Sequence, residues 1–266
     1  MTPYDTDLAY VHDTGYGDFA RTAAPGLLKI LARGGDTSRL VVDLGCGSGI
    51  WARLLVDSGY EVAGVDVSAA MIELARERVP QAVFRVRSFV DFAIPHCRAV
   101  TALGEVVNYL FDLDNSPETL RRVCQRVSDA LVPGGAFVFD VAEPGRCRGV
   151  EQRFWEGEDW ACLVEYVHDV PGQQLTRKIV TFRKLGETYR RHEETHRQKL
   201  YDRTSVAEIL RSVGFQIEIV PGYGTTAFPQ GLVGFVARKP SGLVEVSELK
   251  VRAEDALKLK SQFRMT

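Results

Sequence analysis

A short apolar run that breaks into alternating glycines, VVDLGCGSGIW over residues 41–51, sets the frame of this chain. Val41, Val42 and Leu44 read as a strand buried on both faces, the kind found in a parallel sheet. Gly45, Gly47 and Gly49 lack a Cβ, so the turn leaving that strand can come very close to a ligand. Residues 51–58 then read as a helix and residues 60–66 as a second strand, with Ser68 placed to cap the helix AAMIELARER before Pro80. A glycine turn alone is compatible with a βα connection that binds nothing. Asp66 decides against that: it ends the second strand, where adjacent strands of a doubly wound sheet converge, and a carboxylate there can accept both hydroxyls of a ribose. Together they predict a nucleoside-containing ligand.

The alternation continues. VFRVR and AVTALG are a third and a fourth strand. Leu120, Val123, Cys124, Val127, Ala130 and Leu131 trace one helix face that Pro133-Gly134-Gly135 stops, and AFVFDV is a fifth strand. Upstream, Ala23, Leu27, Leu28, Ile30 and Leu31 fall at helical spacing from Thr22, with Pro25 in the first turn and Gly34-Gly35 after the end. This pattern predicts an open, doubly wound α/β sheet with right-handed crossovers and ligands at the carboxyl ends of its strands. Residues 1–21, with Tyr4, Tyr10, Tyr16 and Phe19, form a partly ordered arm or lid beside a core of residues 22–149 and 203–239. Residues 150–202 hold long alternating segments broken at Pro171-Gly172 and Gly186, an antiparallel insertion. The frame resumes with a capping box of Ser205 and Glu208 and two closing strands, and residues 240–266 read as a helical tail.

Several classes drop out. With 33 Lys and Arg against 35 Asp and Glu, the formal charge of −2 offers no footprint for nucleic acid or an anionic membrane. No apolar run approaches the ~20 residues of a membrane span, and the acidic start is unlike a signal peptide. Cys46, Cys97, Cys124, Cys147 and Cys162 form an odd number with no CxxC pair, which argues against zinc and disulfides and for a reduced, cytoplasmic enzyme. A dinucleotide fingerprint needs a third glycine where this chain has Ile50, and no GK[ST] follows for a phosphate loop. Asp43, at the head of the glycine turn, suits an amino-bearing ligand better than a pyrophosphate. An NAD(P)-dependent oxidoreductase and a non-catalytic binding protein with the same pocket stay open as rivals.

VVDLGCGSGIWARLL, EVAGVDVSAAMIELAR, AVTALGEVVNYL and ALVPGGAFVFDV, in this order, resemble the successive motifs of class I S-adenosylmethionine-dependent methyltransferases acting on small molecules. The resemblance implies a Rossmann-like seven-stranded doubly wound sheet, its last strand antiparallel, with the β insertion after the fifth strand. It implies S-adenosyl-L-methionine as cofactor and S-adenosyl-L-homocysteine as product. Carried over by position, Gly45, Cys46, Gly47 and Gly49 hold the methionine portion with Asp43 in support. Asp66 takes the ribose, and Val67 and Met71 sandwich the adenine. Ser88 and Phe89 stand where the family usually has an Asp near the adenine amino group, a departure that passes recognition to the Ser88 hydroxyl or the Phe89 backbone. Gly104 closes the fourth strand against the cofactor's amino group. Tyr16 and Phe19 cover the sulfonium, and Arg21 pairs with the cofactor carboxylate or is a solvated cap residue.

Methyl transfer from a sulfonium is an in-line displacement that depends on positioning and desolvation, and a protonated amine or hydroxyl acceptor also needs a base. Glu105 and Asn108 follow directly on the fourth strand, where strand ends form the site in this architecture. In the insertion, His192, Glu194 and His196 share one face of a strand; His196 is the preferred base or acceptor-positioning group, and the spacing is not that of a metal-binding helix. The expected partner is a small-molecule acceptor methylated on nitrogen or oxygen, with the insertion as a wall over it or as a homodimer contact.

Overall fold

A computed structural model describes residues 3–33, 38–111 and 116–241. Parallel strands β1 (Leu40–Leu44), β2 (Glu61–Asp66), β3 (Val83–Val86), β4 (Cys97–Ala102) and β5 (Leu131–Ala142) alternate with helices α3 (Ile50–Asp57), α4 (Ala69–Arg78) and α5 (Pro117–Ala130). After α6 (Arg203–Ser212) come β10 (Gln216–Val220), a small hairpin of β11 (Gly222–Tyr223) and β12 (Thr226–Ala227), and β13 (Leu232–Arg238). The seven-stranded order is β10-β13-β5-β4-β1-β2-β3, with β13 antiparallel to both neighbours. This is a Rossmann-like sheet. Its first switch of strand order lies between β1 and β4, which puts the mouth of the fold over the carboxyl ends of β1, β2 and β4.

Apolar side chains fill both faces. On one, Phe137, Phe139 and Phe235 stack against α5 and α6; on the other, α2 (Asp18–Ala32) and α3 cover Val41, Val138 and Val236. The insertion is a separate four-stranded antiparallel meander, β6 (Val150–Glu156), β7 (Trp160–Asp169), β8 (Gln174–Leu185) and β9 (Thr188–Lys199). One of its faces packs Trp160, Cys162, Val164 and Ile179 on Leu8 and Val11 of α1 (Thr6–Gly15). So a helix from the start of the chain lies between the meander and the main sheet.

Three local expectations change. The arm is two helices, because Leu8 and Val11 find the apolar face of β7 and β8 to cover; α2 begins at Asp18, and Pro25 lies inside it rather than in its first turn. Helix α5 ends at Ala130 and the chain is already in β5 at Leu131, so Pro133 and Gly134 sit in a strand whose pairing with β4 shifts register between Cys97 and Ala99. Helix α6 is capped by Asp202, which accepts from the N–H groups of Thr204 and Ser205, in place of the Ser205–Glu208 box. The Gly34-Gly35 stop and the helical tail lie outside the described residues, apart from Pro240 and Ser241. Among the described residues no helix is long and apolar enough to cross a membrane.

Candidate active site

One cavity of about 480 Å³ opens over the strand ends, in the range of about 300–1,000 Å³ that suits a small-molecule ligand. Its inner wall is the glycine turn and its neighbours: Asp43, Gly45, Cys46, Gly47, Asp66 and Val67, with Met71, Phe89 and Gly104 beside them. Gly47 is left-handed (φ +52°) and a Cβ built there meets nothing within 4 Å. The loop backbone therefore lies bare to the cavity. Asp66 organises it: Oδ2 accepts from Gly47 N–H at 2.9 Å and Oδ1 from Ser68 N–H at 2.9 Å. Asp43 accepts from the Thr101 hydroxyl at 2.6 Å, and burial pushes its carboxyl up to about 7. Burial likewise raises Asp66. Buried carboxyls held by neutral donors suit a ligand that brings hydroxyls and a positive charge.

The outer wall comes from α1, from the segment after β4 and from the meander. Tyr4, His12 and Tyr16 line it from the N-terminal side, with Trp155, Tyr166 and Arg177 opposite. The Tyr16 ring stacks on His12 at 5.7 Å and meets Trp155 edge-on at 5.7 Å. Phe19 also lines the cavity and leans on Phe228. His12 is driven down to about 4 by burial, so it is a neutral imidazole near pH 7. Its Nδ1 is fully covered and meets no hydrogen-bond partner among the described residues. Glu105 has left-handed backbone (φ 63°) and receives the Arg146 Nε at 2.9 Å, the Gln198 amide at 2.8 Å and the Arg177 guanidinium. Burial opposes its charge, but Arg177 and Arg146 outweigh that and hold it at about 2.

Not every expected residue reaches the cavity. Asn108 is a clamp: its amide donates to the carbonyls of Ala142 (3.0 Å) and Lys199 (2.6 Å) and accepts from Ala142 N–H (2.9 Å). That uses its polar atoms to join β5 to the meander, and it does not line the cavity. His196 is buried behind the wall, with Nε2 2.7 Å from Glu194 Oε2 and its ring packed on Tyr4 and Phe111. Glu194 in turn accepts from the N–H groups of Tyr4 and Asp5, so the pair fastens the start of the chain and leaves His196 no route to an acceptor. Arg21 does not line the cavity; its guanidinium pairs with Asp18 at 3.3 Å. Ser88 accepts from Val90 N–H at 3.0 Å, and only its neighbours Arg87 and Phe89 line the cavity. Gly49 packs helix on helix, with Ala75 3.1 Å from a built Cβ.

Two lining residues carry signals that the reading of the sequence passed over. Leu8, His12 and Tyr16 are spaced at i, i+4 and i+8 and all line the cavity, a pattern visible once residues 6–15 are read as a helix. Asp140 stands near the end of the fifth strand, as Asp43 and Asp66 do on the first two. It accepts from Gly104 N–H at 3.0 Å and from Glu105 N–H at 2.6 Å, and burial pushes it up to about 7. Among the described residues no cluster of His, Cys, Asp and Glu is arranged to hold a metal.

Residues 16–219 match a family model described as a methyltransferase domain. The chain is 27% identical over 238 residues to dTDP-3-amino-3,6-dideoxy-alpha-D-glucopyranose N,N-dimethyltransferase of Streptomyces fradiae, covering 82% of this chain and 88% of that one. The crystal structure of Streptomyces venezuelae DesVI superposes with a TM-score of 0.74 at 22% identity, over 89% of this chain and 100% of the other. S-adenosylmethionine-bound CalS10, an amino pentose methyltransferase from Micromonospora echinaspora, gives a TM-score of 0.68 at 21% identity, over 86% and 96% of the two chains.

Proposed function

The chain belongs to the S-adenosylmethionine-dependent methyltransferases, and we propose that it methylates an amino nitrogen of a small molecule. The observation that carries this reading is the single cavity shared by two unlike walls, one of loop backbone and buried carboxyls, the other of aromatic rings and a neutral imidazole. The oxidoreductase and non-catalytic alternatives give way with family membership. S-adenosylmethionine supplies a methyl group on a sulfonium, open to in-line displacement by a lone pair. Asp66 is set to accept from ribose hydroxyls, Gly47 to let the ligand approach the backbone, and Met71 and Val67 to flank the base. Tyr16, Trp155 and Phe19 exclude water from the reacting centre and present ring faces that favour a cation.

Nitrogen fits this cavity better than oxygen. A hydroxyl acceptor needs a strong base, and Glu105 is pinned at about 2 while His12 lies at about 4. Asp140 titrates higher, but its oxygens are engaged by the Gly104 and Glu105 N–H groups. A neutral amine brings its own lone pair and needs only a hydrogen-bond acceptor to aim it. His12 is our choice for that acceptor, through Nε2 because Nδ1 is covered, in place of His196 and Asn108, with Glu105 as a fixed negative charge that orients Arg146 and Arg177. The Streptomyces fradiae relative, whose name gives it an amino sugar to N-methylate, supports the same choice.

Cytoplasmic residence and the absence of a nucleic-acid partner remain part of this reading, supported by five free thiols and a charge of −2. A homodimer through the outer face of the meander is supported by Phe154 (73% exposed) paired across strands with Leu163 (46% exposed). The test of the activity offers S-adenosylmethionine with two sugar nucleotides that differ only in an amino or a hydroxyl group, read by mass. Methylation of the amine alone is expected, with kcat lowered about tenfold or more in His12→Ala at unchanged S-adenosylhomocysteine affinity. Methylation of the hydroxyl, or full activity in His12→Ala, would overturn the assignment.

A further inference from the structure

Where the meander leaves β5, residues 145–153 turn outward and bring Arg146, Arg148 and Arg153 to a second, shallower cleft of about 220 Å³. Pro229 and Gln230, from the loop before β13, close its far side. Arg146, Arg153 and Pro229 line both this cleft and the main cavity, so the cleft continues the cavity toward solvent. The two sides are locked together. A Cβ on Gly231 would fall 2.4 Å from the Arg146 Cα, Glu143 N–H donates to the Gly231 carbonyl at 2.8 Å, and Arg146 N–H donates to the Glu143 carbonyl at 3.0 Å.

The charges at this mouth do not cancel. Two carboxylates face it. Glu151 takes the Arg153 guanidinium at 2.7 Å and the Arg148 backbone N–H at 3.0 Å. Glu105 is shared between the Arg146 Nε and Arg177, which lies deeper in the cavity. The Arg148 side chain is exposed and meets no hydrogen-bond or ion-pair partner among the described residues. Arg146 engages Glu105 through Nε alone, so its terminal amino groups remain for a ligand. Around the cleft, three guanidinium groups, Arg146, Arg148 and Arg153, thus stand against the carboxylates of Glu151 and, on the cavity side, Glu105.

We propose that this cleft is an anion subsite, built to hold a phosphate or diphosphate carried by the methyl acceptor while its amine reaches the main cavity. The proposal rests on the small-molecule reading above and adds the acceptor's chemical class. A guanidinium fork matches two phosphate oxygens, and several forks around one small cleft suit more anionic oxygens than a single carboxylate has. Gln230 adds a neutral amide donor at the rim. Charge at the mouth would also draw such acceptors in, more weakly as salt rises.

The experiment titrates the enzyme, saturated with S-adenosylhomocysteine, with dTDP, inorganic pyrophosphate and thymidine, by calorimetry. dTDP and pyrophosphate should bind and thymidine should not, with affinity falling as salt is raised. Arg148→Ala and Arg153→Ala should each weaken dTDP by about tenfold and leave S-adenosylhomocysteine binding unchanged. Arg121→Ala, which removes a guanidinium bonded to Ser212 far from the cleft, should change neither. Tighter binding of dTDP than of pyrophosphate assigns the anion to a nucleotide acceptor; equal binding assigns it to a simple phosphate ester. No binding of either anion at millimolar concentration, or undiminished dTDP binding in the Arg148→Ala/Arg153→Ala double variant with an unchanged melting temperature, sinks the subsite. Failure of amine methylation with dTDP binding intact would strike the acceptor atom instead, so the two ideas fail separately.

Discussion

The cavity's inner wall is drawn from strand ends within one stretch of the chain, while its outer wall joins groups as distant as Tyr4, Glu105, Arg177 and Gln198. Inside, Asp43, Asp66 and Asp140 meet a hydroxyl and backbone N–H groups. Outside, Glu105 meets two guanidinium groups and an amide, and Tyr109 links Arg177 to Tyr4 through its hydroxyl at 2.9 Å on each side. The inner wall is therefore fixed by backbone that the main sheet already orders. The outer wall depends on long-range charge pairs that form only when α1, β5, β8 and β9 come together. A ligand common to a whole family belongs on the first kind of wall, and an acceptor particular to one enzyme belongs on the second.

Removing the hub of the outer wall tests that division most severely. Glu105→Gln keeps the shape but leaves Arg146 and Arg177 without their carboxylate, and breaking a buried pair of this kind costs about 3–5 kcal/mol. The expected outcome is a large drop in the urea midpoint and loss of methyl transfer. At temperatures where the variant is folded, S-adenosylhomocysteine should still bind within a few-fold of the wild type. If cofactor affinity collapses as well, the two walls are one structure and the comparison fails.

Asp66→Ala makes the opposite cut. It frees the Gly47 N–H and removes the carboxylate proposed to accept from the ribose; losing charge-assisted hydrogen bonds worth about 1.5–3 kcal/mol each should weaken S-adenosylhomocysteine on the order of 100-fold. Among the described residues Asp66 is hydrogen-bonded to Gly47 and Ser68 and to no group of the meander, so dTDP titrations should be left as they were. Equal losses for both ligands would mean that Asp66 supports the fold rather than one wall.

The same contrast explains what the sequence could reveal. Val41, Val42 and Leu44 must be a buried strand because nothing else accommodates their spacing, and Asp66 follows from the next strand by position alone. The meander was visible for the same reason, as alternation. What alternation cannot say is which distant segment a side chain meets. His196 shares its strand face with Glu194 as expected, but that face turns toward Tyr4 and Phe111 instead of the cavity. Asn108 follows β4 as expected and then spends its amide on Ala142 and Lys199. His12 was passed over because a helix that needs the meander to bury Leu8 and Val11 has no strong signal of its own.

Acidity should pull the walls in opposite directions, which gives the smallest but cleanest test. Asp43 and Asp140 are pushed up to about 7 by burial, against about 3.9 for an unfolded Asp. Between those values the folded chain holds protons that the unfolded chain has lost, so their contribution is fully present below about pH 4 and is lost as pH rises through about 7. Glu105, at about 2, contributes stability that is lost as pH falls from about 4.3 through its folded value; His12, at about 4, contributes stability that is lost as pH falls from about 6.5 through its folded value. Across the middle of the range, raising the pH therefore loosens the inner wall as it strengthens the outer one. Asp43→Asn keeps an acceptor for the Thr101 hydroxyl but deletes one opposing titration. Its stability should climb more steeply with pH than that of the wild type, by up to about 1.4 kcal/mol per pH unit. Urea midpoints at three pH values across that window decide it: parallel slopes would mean that Asp43 is ionised throughout, and that the inner wall presents a full negative charge to whatever binds there.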